Sequence, residues 1–146
     1  MIFTLAPVVP ERVVAACNGS VAIVSFSGTR SDGSLWVYLE TIGGGFGARH
    51  NKDGMDGVHV HMTNTSNLPA EAMEIEYDLL VDEYALIPDS GGAGRFRGGM
   101  GIARQIRALK PGMVCHLRVD GSKTGSAGLA GGLEGGRGRV VKNFGR

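Results

Sequence analysis

What this sequence has little of narrows its class before any motif is read. An excess of charge of one sign is missing: the formal net charge is +1 over 146 residues. That is too weak a field to draw in nucleic acid or an anionic membrane surface. Cysteine is scarce. Cys17 and Cys115 are the only two and have no CxxC spacing, so neither a disulfide framework nor a zinc knuckle is available, and a reducing cytosol is the natural setting. Each cysteine reads as a small buried apolar residue, and no base stands near Cys17 in the sequence. Long apolar runs are missing as well. No stretch approaches the roughly 18 residues of a membrane span. The apolar start, residues 1–9, lacks the basic flank and small-residue cleavage site of a signal peptide. A cytoplasmic protein with no membrane or nucleic-acid partner is expected. The GxSxG nucleophile elbow and the Walker A lysine are also lacking, which removes two common hydrolase and nucleotide-binding signatures.

Glycine is what the chain has in excess. Twenty-five of 146 residues are glycine, about 17% against roughly 7% in an average protein. They show no collagen period and gather at 43–47, 91–101 and 125–138, a distribution suited to tight loops between short strands. With 42% hydrophobic and 20% charged residues, the chain can bury a core, and its length fits one domain over 1–146.

Short β-type runs recur along the chain. Val21–Phe26 and Leu35–Leu39 are rich in β-branched and aromatic residues, with the turn formers Ser27–Ser34 between them. Val58–Thr63 reads as a further strand, which places His59 and His61 on one face by period-two alternation. Tyr77–Leu86 is another strand. Ile102–Leu109 and Met113–Val119 read as a pair joined across Lys110-Pro-Gly112, and Arg139–Phe144 as a last strand. Pro7 and Pro10 keep any helix near the start brief, and Glu11–Cys17 offers one or two helical turns. A short helix is expected after Asn67, with Asn67 as cap, Pro69 in the first turn and Glu71 at the positive end of the dipole. The expected class is mainly β (a β-rich α+β), with layered or sandwich-like sheets, one or two short helices and Gly-rich loops.

Four segments could carry chemistry. Gly43-Gly-Gly-Phe-Gly-Ala48 satisfies a loose dinucleotide fingerprint, but Arg49-His-Asn-Lys-Asp-Gly54 after it reads as loop and not as the helix such a site needs. Close backbone approach, or N–H groups of Gly44 and Gly45 presented to an anion or oxyanion, are the remaining readings. Asp53-Gly-Met-Asp-Gly-Val-His-Val-His61 places two carboxylates and two imidazoles within nine positions. They could hold a divalent metal, transfer protons, contact a polar substrate, or serve only as turn and surface residues. Met62-Thr-Asn-Thr-Ser-Asn67 offers Thr63, Asn64 and Asn67 to a polar ligand or to the local backbone, with Glu71 and Glu74 on one helical face beyond. Pro88–Gly101 carries Asp89, Arg95 and Arg97, suited to an Arg–carboxylate network that pins the loop or to binding an anionic group. An RNA- or DNA-binding role for this Arg/Gly run would need a basic excess that the chain lacks.

These segments together resemble the hydantoinase B/oxoprolinase family. The resemblance is carried by Gly43–Ala48, Asp53-Gly54, His59-Val-His-Met-Thr-Asn-Thr65, Asn67, Pro69, Glu71 and the run Tyr84–Gly99, and it is strongest from Val37 to Leu109. It implies the C-terminal portion of a longer B-type subunit, a fragment or half of a split chain, working as a hetero-oligomer with an A-type partner. That partner uses ATP and Mg²⁺ to phosphorylate the amide oxygen of a small cyclic amide such as 5-oxoproline or a hydantoin, and the B part completes ring opening. The family's divalent-metal ligands are expected upstream of this segment, and no metal is assigned to this chain. His59, His61 and Glu71 are the implied catalytic candidates. Gly44, Gly45, Asp53, Thr63, Asn64, Asn67, Asp89, Arg95 and Arg97 are the implied substrate contacts. A non-catalytic docking module, or a piece of an acetone-carboxylase-type alpha subunit, are the alternatives. One departure lies near the end: relatives carry Asp-Arg and a Pro-rich aromatic turn where this chain reads Asp120-Gly-Ser-Lys-Thr-Gly125.

Overall fold

Two antiparallel sheets and one α-helix enclose the core. The computed structural model describes residues 2–19, 21–61 and 63–143. Strand β1 (Ala22–Thr29) pairs with β2 (Leu35–Ile42), with Ser25 opposite Leu39 and Ser27 opposite Val37. On its other side β1 pairs with β5 (Val114–Arg118). A second sheet joins β3 (Leu79–Leu86) to β4 (Ile102–Ala108), with a bulge between Val81 and Glu83. Helix α1 (Ala70–Glu76) lies before β3 in the chain and packs on it.

β2 shows why this half folds as it does. Its residues alternate exposed and buried, so Trp36, Tyr38 and Glu40 point inward. They meet Val24 and Phe26 of β1, Met73 of α1 and Leu79 of β3 in one apolar cluster. Met73 and Leu79 are fully buried. Tyr77, just past α1, sets its ring centroid 5.1 Å from those of both Trp36 and Tyr38, tilted at 46° and 48°, in the range where aromatic pairs attract.

A charge sits inside this layer, and no sequence pattern hints at it. Glu40 on β2 is 7% exposed and forms an ion pair with Arg104 of β4, thereby tying one sheet to the other. The second Glu40 oxygen accepts the Leu68 N–H at 2.9 Å. The Arg104 guanidinium also lies 5.0 Å from the Tyr84 ring centroid. A buried carboxylate is tolerated only with such compensation. The Tyr38 hydroxyl closes no hydrogen bond among the described residues, and burial first, then the Glu40 carboxylate beside it, push its pKa well above that of a free phenol.

Several expectations need correction. β1 continues through Thr29, so the loop to β2 is only 30–34, closed by Arg30 N–H to the Ser34 carbonyl and by Asp32 accepting from Ser34. Ile102–Leu109 and Met113–Val119 do not pair with each other: β4 joins β3, and β5 crosses to β1. The Leu109 N–H bonds to the Asp78 carbonyl and Lys110 pairs with Asp78 at 2.8 Å, which holds the end of β4 on the β3 side. Asn67 does not cap α1. Pro69 occupies that place without a side-chain cap, because Asn67 is engaged elsewhere, donating to the Thr41 carbonyl and accepting from the Tyr84 hydroxyl. Of Glu11–Cys17 only Glu11 and Arg12 are helical, as part of the 3-10 turn Pro10–Arg12. Val58–Thr63 is not a strand. Val58 makes one isolated bridge to Gly44, and Met62 lies outside the described residues. Residues 139–143 form no strand, and Phe144 lies outside the described residues.

Candidate functional site

The glycine-rich loops form a second body of structure knitted by backbone. Gly44 and Val58 exchange both N–H···O bonds, at 3.1 and 2.7 Å. Phe46 N–H bonds to the Met55 carbonyl, Gly99 N–H to the Phe46 carbonyl, Gly54 N–H to the Arg97 carbonyl and Gly57 N–H to the Met100 carbonyl, all at 2.8–3.0 Å. Glycine is required where these strings touch. A Cβ on Gly45 would collide with the Gly99 carbonyl oxygen, and one on Gly99 with the Met55 carbonyl oxygen. The segment before β1 joins the cluster through Ala15 N–H to the Ala48 carbonyl and Asn18 N–H to the Gly45 carbonyl. The C-terminal loops join through Ala16 N–H to the Ala127 carbonyl and Ser126 Oγ–H to the Cys17 carbonyl. As the sequence predicts, Arg49–Lys52 is a turn and not a helix, so no dinucleotide-type helix follows the Gly43 loop.

At the centre of this weave is a pair that sequence spacing does not suggest. Cys17 Sγ lies 3.5 Å from His61 Nε2. The same sulfur accepts the Gly47 N–H at 3.3 Å. Cys17 is buried. Burial pushes its thiol pKa up, opposed in part by the Gly47 N–H, so the resting group is a thiol and not a thiolate. His61 is exposed and its ring packs at 5.9 Å, centroid to centroid, from Phe46. The Arg49 guanidinium lies over that same Phe46 ring at 5.1 Å. The Cys17 S–H can donate to the Ala15 carbonyl at 3.8 Å, so the neutral His61 tautomer that donates Nε2–H to the Cys17 sulfur keeps a basic Nδ1. With an aromatic wall and a cation beside it, that nitrogen can take part in proton transfer. The order of residues along the chain singles out none of Cys17, Phe46, Gly47 and Arg49 for it. Only proximity across 44 residues reveals the pair.

His59 and His61 do not share a face. His61 has φ +56° and sits in a turn closed by Thr63 N–H to the Val60 carbonyl at 3.2 Å. The extended backbone needed for alternation therefore ends at Val60. His59 turns inward: both of its ring nitrogens are buried without a hydrogen bond among the described residues. Thr63 donates its hydroxyl to the Val60 carbonyl at 2.9 Å and Asn67 bridges β2 and β3, so both serve the local fold. Asn64 is exposed in the segment leading to α1, and Glu71 is exposed on the first turn of α1. No contact joins Glu71 to His61 or Cys17 among the described residues.

The second cluster is electrostatic. Arg97 grips Asp56 with both terminal nitrogens, at 2.7 and 3.0 Å, and its N–H donates to Asp53 at 2.9 Å. Asp56 also accepts the Met100 N–H at 2.7 Å. The Arg97 guanidinium first, then that N–H, hold the Asp56 carboxyl down to about 2, and Asp56 in return raises Arg97. Asp53 and Arg97 are thus brought together, but they are spent on pinning 97–101 to 53–57. Arg95 instead lies over the Phe96 ring at 5.5 Å, and Asp89 is exposed with φ +56°.

The described residues do not assemble a metal site by themselves. Among the described residues no three His, Cys, Asp or Glu side chains converge on a point. Cys17 and His61 supply two donors, Asp53 and Asp56 are committed to Arg97, and structural and catalytic zinc sites need three or four protein ligands.

The sequence has relatives among known proteins. The family model described as hydantoinase B/oxoprolinase matches residues 1–146. The chain belongs to the hydantoinase B/oxoprolinase family. It is 38% identical over 131 residues to the B-type subunit of a putative D-/L-hydantoinase of Pseudomonas sp. (strain NS671), covering 90% of this chain and 22% of that protein. It is 46% identical over 136 residues to an uncharacterised protein of Methanocaldococcus jannaschii, covering 92% and 23%. It is 42% identical over 111 residues to a 5-oxoprolinase of Dictyostelium discoideum, covering 75% and 9%. This member of the hydantoinase B/oxoprolinase family therefore spans less than a quarter of the length of each of these relatives. Among its described residues no helix is long and apolar enough to cross a membrane.

Proposed function

We propose that this chain is the C-terminal portion of a cytoplasmic B-type subunit of an ATP-dependent cyclic-amide hydrolase of the 5-oxoprolinase or hydantoinase kind. It works in a hetero-oligomer whose A-type partner binds ATP and Mg²⁺ and phosphorylates the amide oxygen. The B part then completes ring opening, with any divalent metal held outside this chain. The names of the relatives, a B-type hydantoinase subunit and a 5-oxoprolinase, support the reaction class. The small share of each relative that the chain spans supports its being one piece of the assembly.

One observation supports a site role for these loops over mere packing: the exposed His61 imidazole with Nε2 held against the Cys17 thiol. Its other ring nitrogen takes no partner among the described residues. In this reading that nitrogen accepts a proton from the attacking water or returns one to the departing ring nitrogen, and Cys17 and Phe46 fix the ring. Cys17 is a positioning residue here, and His59, turned inward, is a structural one. Gly44 is buried with its N–H and carbonyl both bonded to Val58, so it shapes the loop, and the remaining candidate contacts, Gly45, Asn64, Asp89 and Arg95, stand as substrate contacts in the completed pocket.

The test is ATP-dependent ring opening of 5-oxoproline and of hydantoin by the reconstituted A and B assembly containing this chain. His61→Asn is expected to lower kcat by about 100-fold or more, the usual worth of a proton-transfer group, and to flatten the pH profile, while His59→Asn costs far less. An unchanged rate in His61→Asn would favour a docking module, and ring opening by the isolated chain with ATP and Mg²⁺ would refute the division of labour.

A further inference from the structure

The sheet β2-β1-β5 has an apolar inner face turned to the core and an outer face that carries a bare aliphatic row along β2. The inner face carries Val24, Phe26, Trp36 and Tyr38 into the core. The register places Leu35, Val37 and Leu39 of β2 on the opposite face, across from Thr29, Ser27 and Ser25 of β1, with Val114 of β5 beyond Ser27. These aliphatic side chains are 79%, 66%, 64% and 48% exposed for Leu35, Val37, Leu39 and Val114. The serines form a low floor between the aliphatic row of β2 and the mixed row of β5, where Val114, His116 and Arg118 stand opposite Ser27, Ser25 and Ile23.

β2 is also an edge strand, paired in its sheet with β1 alone. Free-standing edges are usually blunted by outward charges, proline or bulges. β2 has none of these, and among the described residues only its Thr41 end is engaged by a loop, through Asn67 and Thr65. Its register with β1 is unbroken, it contains no proline, and its one charged residue, Glu40, is turned inward to Arg104. A flat apolar edge in this state is an interface waiting for cover or an aggregation site. An exposed aliphatic row along a sheet edge, rimmed by polar and charged side chains, normally marks a contact surface.

We propose that the outer face of β2-β1-β5, centred on Val37 and Leu39, is a docking surface whose occupant is the remainder of the B-type polypeptide, the portion of the relatives that this chain does not match. The relatives supply the reason for choosing this occupant. More than three quarters of the Pseudomonas and Methanocaldococcus proteins lies outside the matched segment, so further polypeptide of the same type is available to cover the sheet. The inference rests on family membership and the exposed face, and not on the hydrolase reading or on His61.

The experiment mixes the intact 146-residue chain with one probe, the Methanocaldococcus jannaschii relative produced without the segment that matches this chain. The expected result is a one-to-one complex by light scattering after size exclusion, with the amides of 35–39 newly protected from hydrogen exchange. The double substitution Val37→Lys with Leu39→Lys is expected to weaken the complex by about 100-fold, the scale of losing central interface anchors, and to leave the circular dichroism and melting of the free chain unchanged. Val8→Lys, at another exposed aliphatic, leaves binding as it was. Should the double variant fail to fold, the exchange footprint on the unmodified chain decides. Failure of the unmodified chain to bind, protection elsewhere with 35–39 left open, or undiminished binding by the folded lysine variant overturns the proposal. So does protection of 35–39 in a homodimer of the free chain, or on phosphatidylcholine vesicles. None of these readouts involves ring opening, so the docking inference and the hydrolase reading can fail separately.

Discussion

The two halves of this molecule are held by different forces. In the half built from β1, β2, α1, β3 and β4, side chains interlock: Met73, Leu79, Trp36 and Tyr38 fill one apolar space, and a single ion pair bridges the sheets. In the loop half few side chains are buried, and the contacts run from backbone to backbone, with Gly45, Gly54 and Gly99 pressed against carbonyls of neighbouring segments. The first half is sensitive to which side chain is present. The second is sensitive to whether there is one at all. A chain that must bring four loop segments to within van der Waals distance does so by omitting Cβ atoms, which leaves N–H groups and a few functional side chains at the surface.

The largest effect that would sharpen this contrast comes from the ion pair in the core half. Arg104→Met leaves the Glu40 carboxylate buried without its charge partner. Removing one member of a buried pair costs about 3–5 kcal/mol, and because β2 and β4 belong to different sheets the loss should be global. Denaturant unfolding should show a lower midpoint with one cooperative transition. Replacing both partners together, with Glu40→Leu added, should recover much of the loss, since an apolar pair removes the desolvation penalty along with the charge. A double variant no more stable than the single one would contradict this account.

A smaller and local effect is expected in the loop half. Gly45→Ala inserts a methyl group against the Gly99 carbonyl, which belongs to the backbone and cannot swing aside. Overpacking of this kind costs about 1–3 kcal/mol. Because few apolar contacts bind the loops to the core, the cost should appear as local opening. Hydrogen exchange at Phe46, Gly54 and Gly99 should quicken while the amides of β1 and β2 keep their protection. Equal loss of protection in both halves would mean that the loops and the core unfold as one unit.

The same contrast explains what can be read from the residues in order. The five strands are legible because alternation and β-branched runs are local properties, and Leu35–Leu39 or Ile102–Leu109 carry them whatever they pair with. Pairing is not legible. Lys110-Pro-Gly112 has the chemistry of a hairpin turn, yet Asp78 takes both Leu109 and Lys110 and leaves β5 for β1. Nothing in the composition reports a buried Glu40, because its partner stands 64 positions away. In the loop half the glycine clusters correctly indicate tight approach, and the Arg97–carboxylate link fits the expectation of a pinned loop. Period two misplaces the histidines because it assumes unbroken extended backbone, and His61 is a non-glycine residue at positive φ. Once His61 leaves the alternation, its partner becomes Cys17, for which the neighbouring sequence offers no base.

The smallest expected effect lies in the Asp56–Arg97 link, where charge meets solvent. The folded pKa of Asp56, about 2, is depressed relative to about 3.9 for a free aspartate. A depressed carboxyl contributes its stabilisation in full above the free value and loses it as pH falls through the folded one. The window therefore runs from the free value down to about 2, and neutral pH lies safely above it. Because Arg97 is 45% exposed at its side chain, screening keeps the contribution to global stability slight, and the informative readout is the group itself. Carboxyl ¹³C titration should place the Asp56 midpoint near 2, and Arg97→Gln should raise it toward the free value. The Met100 N–H stays bonded in that variant and should keep the midpoint from rising all the way. A wild-type midpoint close to the free value of about 3.9 would mean that the loop is not pinned in solution. It would also mean that the ordered surface on which His61, Phe46 and Arg49 converge depends on backbone contacts alone.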